Sequence, residues 1–187
     1  SNPPSYAGGN PAQSTHEHFD GTSWKWMAAM LRCGTGDSSP AAGTWGSQNS
    51  FGAAGRNQGS NSGCTEIWDG TSWTEVNNLI TARGISQTSG CTVDDALVSG
   101  GLGNNNAAVH CCTEIWNGTN WTDSQRTLRN SSHNGVAGGT SNAFFLPPAY
   151  TGGAYSEIWN GTAWTTTTGT SYQSSKHGQG GDGSMNN

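Results

Sequence analysis

The sequence predicts an all-β protein made of small repeated units, and three observations support this prediction. A nine-residue motif occurs four times, as HEHFDGTSW, TEIWDGTSW, TEIWNGTNW and SEIWNGTAW. The last tryptophans of the four copies are separated by 49, 48 and 43 residues, and self-similarity at such a period indicates a repeat architecture. The intervening residues are rich in Gly, Thr and Asn and show almost no apolar period of 3.6 residues, so helices are not expected.

The motifs divide a single repeat domain, residues 1–187, into four units. Three units are continuous in sequence, and one combines the two ends of the chain. Their approximate bounds are 25–73, 74–121, 122–164, and 1–24 together with 165–187. Short strands are expected at residues 65–68, 96–99 and 142–146, where β-formers are bounded by turn residues.

The composition argues against several other classes of protein. Only 10% of the residues are charged and 31% are apolar, but a net charge of −5 and 9 tryptophans are not typical of a disordered chain. The 7 Lys and Arg residues are too dispersed for a nucleic-acid-binding patch. No apolar run approaches the ~20 residues that a membrane helix needs, so membrane insertion is not expected. The polar start at Ser1, without Met, is expected of a processed or trimmed chain.

Each motif predicts a β-hairpin. Its central Asp-Gly or Asn-Gly pair favours a two-residue type I′ turn, because both central residues of that turn need a positive φ. The turn glycines are Gly21, Gly70, Gly118 and Gly161. With this turn, Trp68 pairs with Thr71 and Glu66 pairs with Trp73, which makes the two tryptophans diagonal neighbours on one face.

The aromatic residues of the motif are expected to supply the core. A unit of this size is too small for its own core, and a pair of large rings gives it an apolar surface that packs on the next unit. The predicted pairs are Phe19 with Trp24, Trp68 with Trp73, Trp116 with Trp121, and Trp159 with Trp164. The motif glutamates, Glu17, Glu66, Glu114 and Glu157, are expected to cap or orient the hairpin.

The segments between the motifs follow a common order. After the second Trp, a polar segment runs to an Arg, and a Gly/Ser-rich stretch leads to a small-residue strand that ends in Gly-Gly. The second unit shows this order from Trp73 through Arg83 to Gly100 and Gly101. In these residues the sequence resembles the kelch family, most closely the EIWNGTxW repeats of marine bacteriophages, especially cyanophages, and of environmental bacteria. The resemblance covers most of the chain and implies propeller-type blades of four antiparallel strands.

Two arrangements of the units remain open. In the first, both termini complete one blade, because residues 6–9 lead into the first motif and residues 165–187 follow the last one. This gives a small four-bladed propeller. In the second, the units form an open stack with exposed edge strands at both ends, which would be a template for polymerisation.

The five cysteines indicate an oxidising location, outside the cell or on a virion surface, because the protein has a small core. Two disulfides with one free thiol are possible, and Cys33 with Cys64 is the pairing that we predict. His110-Cys111-Cys112 lacks a second ligand pair at zinc-finger spacing. His16-Glu17-His18 aligns with the repeat motif. We therefore predict no metal site and no cofactor.

Four Asn-x-Ser/Thr sequences are candidate glycosylation sites, at Asn117, Asn120, Asn130 and Asn160. For Asn117 and Asn160 we favour a role in the turn, because Asp occupies the equivalent positions 20 and 69.

Motifs of known catalytic sites are missing from the sequence, so an enzyme is not expected. We expect a non-catalytic structural or adhesion protein of the extracellular space or the virion surface, such as a phage tail-fibre or capsid-decoration component that contacts host glycans. Candidate glycan contacts are Trp26, Trp45 and Tyr155, which lie outside the motif pairs. The alternative is a self-assembling subunit of an extracellular filament or sheath. The expected partners are other virion or filament subunits, in a homo-oligomer, and surface polysaccharide.

Overall fold

A computed structural model describes the four motifs and parts of the segments between them. The described residues are 5–7, 15–31, 43–47, 50–54, 62–83, 87–101, 111–127, 138–140, 143–146 and 156–167. Every regular element in these ranges is a β-strand, which confirms the all-β prediction.

The described strands form four small antiparallel sheets in chain order. Sheet 1 contains β1 (Ser5–Ala7), β2 (His16–Phe19) and β3 (Trp24–Trp26). Sheet 2 contains β4 (Gly43–Ser47), β5 (Ser50–Ala54), β6 (Thr65–Trp68) and β7 (Trp73–Val76). Sheet 3 contains β8 (Gln87–Thr92), β9 (Asp95–Ser99), β10 (Thr113–Trp116) and β11 (Trp121–Asp123). Sheet 4 contains β12 (Gly138–Thr140), β13 (Ala143–Leu146), β14 (Glu157–Trp159) and β15 (Trp164–Thr166).

Each sheet is a meander, in which strands that follow one another in sequence also lie side by side. The last two strands of each sheet are the two halves of one motif, which confirms the predicted hairpins. The strands expected at residues 65–68, 96–99 and 142–146 correspond to β6, most of β9, and β13.

The hairpin loop differs from the predicted two-residue turn. Trp68 lies opposite Trp73 and Glu66 lies opposite Glu75, so residues 69–72 form a four-residue loop. The Asp69 carboxylate accepts hydrogen bonds of 2.8 Å from the backbone N–H groups of Thr71 and Ser72. Because these two N–H groups are bonded to the Asp69 side chain, they are not available for pairing between the strands. Thr71 and Ser72 therefore stay in the loop. The predicted pairing of Trp68 with Thr71, and of Glu66 with Trp73, is therefore wrong.

The same loop occurs in the other three hairpins. The side-chain oxygens of Asp20, Asn117 and Asn160 accept bonds of 2.8–3.0 Å from the N–H groups two and three residues later. The following glycine has a φ between 87° and 99° in all four loops, as the sequence predicted for this position. Glycine is suited to this conformation because it has no Cβ to clash with the backbone.

The corrected register places the two aromatic rings of each motif directly opposite each other. The ring centroids lie 5.3–5.7 Å apart with interplanar angles of 43–49° in all four sheets. Direct opposition on adjacent strands brings the rings closer than the predicted diagonal arrangement would. The predicted partners are therefore correct, and only their relative position changes.

Three of the four aromatic pairs are buried against the sheet that precedes them. Trp68 and Trp73 pack with Met27 and Met30, which follow the hairpin of sheet 1. The pair of sheet 3 packs with Ile67, Val76 and Leu79 of the preceding unit. The pair of sheet 4 packs with Leu97 and Ile115 of sheet 3. The core is thus a series of interfaces between consecutive sheets, as expected for units that are too small to fold alone, but each ring pair packs on the preceding unit and not on the next one as predicted.

Truncation of a buried indole tests this description of the core. The Trp116 side chain is 1% exposed, whereas the Trp24 side chain is 50% exposed. We expect Trp116→Ala to lower the free energy of unfolding by about 3–5 kcal/mol, because it leaves a cavity in the interface. Trp24→Ala should cost clearly less. Chemical denaturation monitored by circular dichroism measures both values, and equal losses would contradict the assigned packing.

Candidate functional site

The contact between consecutive sheets includes a hydrogen bond from the second indole of the later sheet. The Trp121 Nε1–H group donates to Thr65 Oγ1 of sheet 2 at 2.9 Å. The Trp164 Nε1–H group donates to Thr113 Oγ1 of sheet 3 at 3.1 Å. Both threonines are fully buried and stand at the first position of the motif. The contact thus has two complementary surfaces: an indole surface on the later sheet and a hydroxyl-bearing surface on the earlier one.

The motif glutamates connect the same pairs of sheets. Glu66 is fully buried, and its Oε2 accepts a hydrogen bond of 2.8 Å from the backbone N–H of Leu31. Glu114 is also buried and accepts bonds from the N–H groups of Ile80 and Thr81 at 2.8 and 3.1 Å. These glutamates therefore bind the segment that follows the preceding hairpin. These contacts differ from the predicted cap of the glutamate's own hairpin, because the N–H groups that bind Glu66 and Glu114 belong to the preceding unit.

A buried arginine reinforces the contact between sheets 2 and 3. The side chains of Arg83 and Glu114 are both 0% exposed and form an ion pair. The Arg83 guanidinium also donates to the carbonyl oxygens of Thr81, Gly100 and Cys112 and to the Cys112 Sγ, at 3.0–3.2 Å. A buried guanidinium is tolerated only when its donors and charge find partners of this kind.

The cysteines do not follow the two-disulfide arrangement that we considered. Cys111 and Cys112 are both free thiols. Only three of the five cysteines then remain, so the chain can form at most one internal disulfide. Cys64 is buried in the core below sheet 2, whereas Cys33 lies outside the described residues, so their pairing stays a prediction.

Sheet 1 has a histidine pair where the other sheets have Thr-x-Ile or Ser-x-Ile. His16 is fully buried, with its ring centroid 4.5 Å from His18 and 4.5 Å from Trp68. Burial and the neighbouring His18 lower the pKa of His16 to about 4. Burial also lowers the pKa of His18. Because a buried imidazole is favoured in its neutral form, these histidines fill an apolar surface against the indoles of sheet 2.

The described part of the chain contains no group of three or more His, Cys, Asp or Glu side chains that could hold a metal ion. His110 lies outside the described residues, so the cluster at positions 110–112 is only partly represented. Within the described residues there is also no helix long and apolar enough to cross a membrane.

The exposed aromatic residues of sheet 1 form the most distinctive surface among the described residues. Trp24 is 50% exposed and Trp26 is 70% exposed. Both project from the same face of β3, because side chains two residues apart in a strand share a face. Phe19 lies opposite Trp24, and Glu17 lies opposite Trp26. We call these four residues the sheet 1 aromatic face.

The other two predicted glycan contacts cannot be placed on this surface. Trp45 lies in β4, where only the backbone is described. Tyr155 lies outside the described residues. Trp26 is therefore the only one of the three whose side chain can be described, and it is strongly exposed.

The predicted glycosylation sites show turn contacts where they are described. Asn117 and Asn160 hold their loops in the same way as Asp20 and Asp69 do, in agreement with the turn role that we favoured. Asn120 is exposed, and its Oδ1 accepts a bond of 2.7 Å from Asn77 Nδ2. Asn130 lies outside the described residues.

Comparisons with known proteins give a likeness in fold alone. No family model matches the chain. No curated protein matches it at a significant level. A solved structure of YjhT is similar, with a TM-score of 0.60 and 10% sequence identity over 88% of this chain. The match covers 61% of the YjhT chain, so that structure extends beyond the part that this chain matches.

Removal of the buried guanidinium tests its contribution to the contact between sheets 2 and 3. Arg83→Met should lower the free energy of unfolding by about 3–5 kcal/mol, because Glu114 would stay buried without its ion-pair partner. Lys25→Met is a suitable control, since it removes the exposed ion pair with Asp20 and should change stability little. Urea denaturation measures both effects, and an Arg83→Met protein as stable as the parent would contradict the assigned role.

The histidine pair predicts that stability falls as the solution becomes acidic. In the unfolded chain His16 titrates near pH ~6.5, whereas its pKa in the folded protein is about 4. The unfolded state therefore binds the proton first, and stability present above pH ~6.5 is lost as the pH falls towards 4. Each unit of pKa difference is worth roughly 1.4 kcal/mol. Denaturation curves between pH 7 and pH 4 measure the loss.

The matched control for this experiment is His16→Thr, which gives sheet 1 the residue found at the same motif position in sheets 2 and 3. This variant should lose most of the pH dependence between pH ~6.5 and pH ~4. An unchanged pH profile would show that other groups are responsible.

Proposed function

We propose that this chain is a non-catalytic structural or adhesion protein of the extracellular space or a virion surface, of the phage tail-fibre or capsid-decoration type, that contacts surface polysaccharide. The observation that supports adhesion most directly is the sheet 1 aromatic face, with Trp26 70% exposed. Isolated exposed aromatic rings are common, but two neighbouring exposed indoles, Trp24 and Trp26, beside a carboxylate suit an interaction surface. Indole rings supply flat apolar area and Glu17 supplies hydrogen-bond acceptors, a combination that suits a sugar ring.

The buried polar groups support the structural part of this proposal. Glu66, Glu114 and Arg83 are fully enclosed, and their described contacts hold consecutive sheets together. Carboxylates used in this way are not available to a substrate.

The kelch-like part of the proposal concerns how the sheets are arranged. Three four-stranded meanders and one three-stranded meander that pack on one another in chain order are consistent with propeller-type blades. A four-bladed ring would require sheet 1 to be covered by sheet 4 and completed by residues from the C-terminal end. The 50% exposure of Trp24 favours the open stack instead, because a ring would bury this indole as its equivalents in sheets 2 to 4 are buried.

The alternative function, a self-assembling subunit of a filament or sheath, also has a specific observation in its favour. The second indoles of the motifs in sheets 2 to 4, Trp73, Trp121 and Trp164, are 5–6% exposed, whereas Trp24 at the same position in sheet 1 is 50% exposed. An exposed surface whose internal equivalents are buried suits assembly as well as adhesion.

Glycan binding by Trp26 tests the adhesion proposal. Immobilised bacterial lipopolysaccharide and capsular polysaccharide should bind the protein saturably in surface plasmon resonance, and Trp26→Ala should weaken the binding at least tenfold, a loss of about 1.4 kcal/mol. The control is Leu31→Ala, which removes another strongly exposed apolar side chain, 60% exposed and outside the aromatic face. Equal binding by both variants, or no saturable binding by the parent, would count against glycan contact through this surface.

A further inference from the structure

The motif glutamate of sheet 1 differs from its equivalents in the other three sheets. Glu66, Glu114 and Glu157 are 0% exposed, and the carboxylates of Glu66 and Glu114 accept backbone hydrogen bonds from the preceding unit. Glu17 is partly exposed, and its carboxylate makes no hydrogen bond or ion pair with the described residues. This carboxylate can therefore meet a ligand, whereas the others are enclosed in the fold.

The residue opposite this glutamate also differs between the sheets. In sheets 2, 3 and 4 the motif glutamate lies opposite Glu75, Asp123 and Thr166, which are all exposed. In sheet 1, Glu17 lies opposite Trp26, whose side chain is 70% exposed. Directly opposite side chains on adjacent antiparallel strands are close neighbours. Sheet 1 therefore places an exposed indole beside a partly exposed carboxylate, and the equivalent positions of the other sheets do not.

Trp24 adds a second indole to the same face. It is 50% exposed, and its ring centroid lies 5.4 Å from that of Phe19 on the facing strand. Lys25 stands between the two tryptophans in sequence, so its side chain projects from the other face of β3. Its ammonium group forms an ion pair with Asp20 at 2.9 Å. The positive charge nearest in sequence is thus paired elsewhere and does not neutralise the carboxylate of this face.

We propose that Trp24, Trp26 and Glu17 form a site for a positively charged ammonium group, carried on the glycan as an amino sugar or as a choline substituent. The face of an indole attracts cations electrostatically, and tryptophan is the best aromatic partner for them. Glu17 supplies the opposite charge, and the net charge of −5 favours a cationic ligand over an anionic one. The inference rests on the proposed glycan contact and specifies the chemical class of the glycan.

A neutral sugar would use this site less fully than a cationic one. It can stack on an indole, but its hydroxyl groups offer the Glu17 carboxylate only hydrogen bonds that water also supplies. An ammonium group interacts with the indole faces and with the carboxylate at the same time. An anionic sugar, such as a uronate, would bring like charges together, which disfavours binding.

Two hexasaccharides that differ in charge test the proposal. The hexamer of glucosamine has free amines, whereas the hexamer of N-acetylglucosamine has neutral amides in their place. Under slightly acidic conditions, where the sugar amines are charged, isothermal titration calorimetry should show about tenfold tighter binding of the glucosamine hexamer. Added salt should reduce this difference, because it screens interactions between exposed charges.

Variants of the site separate the charge from the aromatic surface. Glu17→Gln should weaken binding of the glucosamine hexamer roughly threefold and leave binding of the N-acetylated hexamer unchanged, because the amide keeps the shape and removes the charge. Trp26→Ala should weaken binding of both hexamers. The control is Asp123→Asn, which removes one negative charge from the exposed position of sheet 3 that corresponds to Trp26. It should behave as the parent does.

Choline distinguishes the two sources of the ammonium group. In NMR titrations, a change in the indole N–H signals of Trp24 and Trp26 with choline chloride assigns the site to a quaternary ammonium group. A change with the glucosamine hexamer and none with choline assigns it to an amino sugar.

The outcomes that overturn this inference differ from those that overturn the proposed function. Equal affinity of the parent for the two hexamers, or an equal loss of affinity in Glu17→Gln and Asp123→Asn, would overturn the cation site and leave glycan contact through Trp26 intact. Binding of choline without saturable binding of any glycan would overturn the glycan contact and confirm the cation site. No binding of choline or of either hexamer would overturn both.

Discussion

Each indole pair completes its packing only on the sheet that precedes it, and the rest of the structure depends on that contact. A three- or four-stranded meander of this size exposes too much apolar surface to be stable alone. The paired rings of Trp116 and Trp121, for example, become buried only with Ile67, Val76 and Leu79 of the preceding unit. Stability is therefore shared between neighbours, as in other repeat proteins.

The polar groups at these contacts determine how the sheets fit together. An apolar surface alone is non-directional, whereas the bond from Trp121 to Thr65 and the bonds from Glu114 to Ile80 and Thr81 each require a definite position. Because Glu114 is buried, losing these partners would leave a desolvated charge, so a shifted arrangement is strongly disfavoured. The Glu114 carboxylate thus helps to align the two sheets. The repetition of this glutamate in the sequence would equally fit a cap of its own hairpin.

The sequence was sufficient to predict the repeats, the hairpins and the partners within each ring pair, because these follow from local periodicity and turn residues. It was insufficient to predict the register of the hairpins, because hydrogen bonds to the side-chain oxygen of Asp69 favour a four-residue loop over the predicted two-residue turn. The polar contacts between units were also missed, since they join residues 33 to 56 positions apart. A signal was present in the hydroxyl residues that open three of the four motifs.

The near identity of the contacts between sheets has a consequence for folding. An indole surface that fits Thr65 also fits Thr113, so a sheet can dock on the wrong neighbour during folding and be held there by almost the same bonds. Repeat proteins are prone to such misassembly. The main protection is proximity along the chain, since a short connection gives the correct neighbour a high effective concentration. The histidines of sheet 1 add a chemical difference at one end, because Trp73 meets an imidazole at 5.3 Å where the later indoles meet a hydroxyl. The contact between sheets 1 and 2 thereby differs chemically from the later contacts, and this difference distinguishes the first sheet from the others.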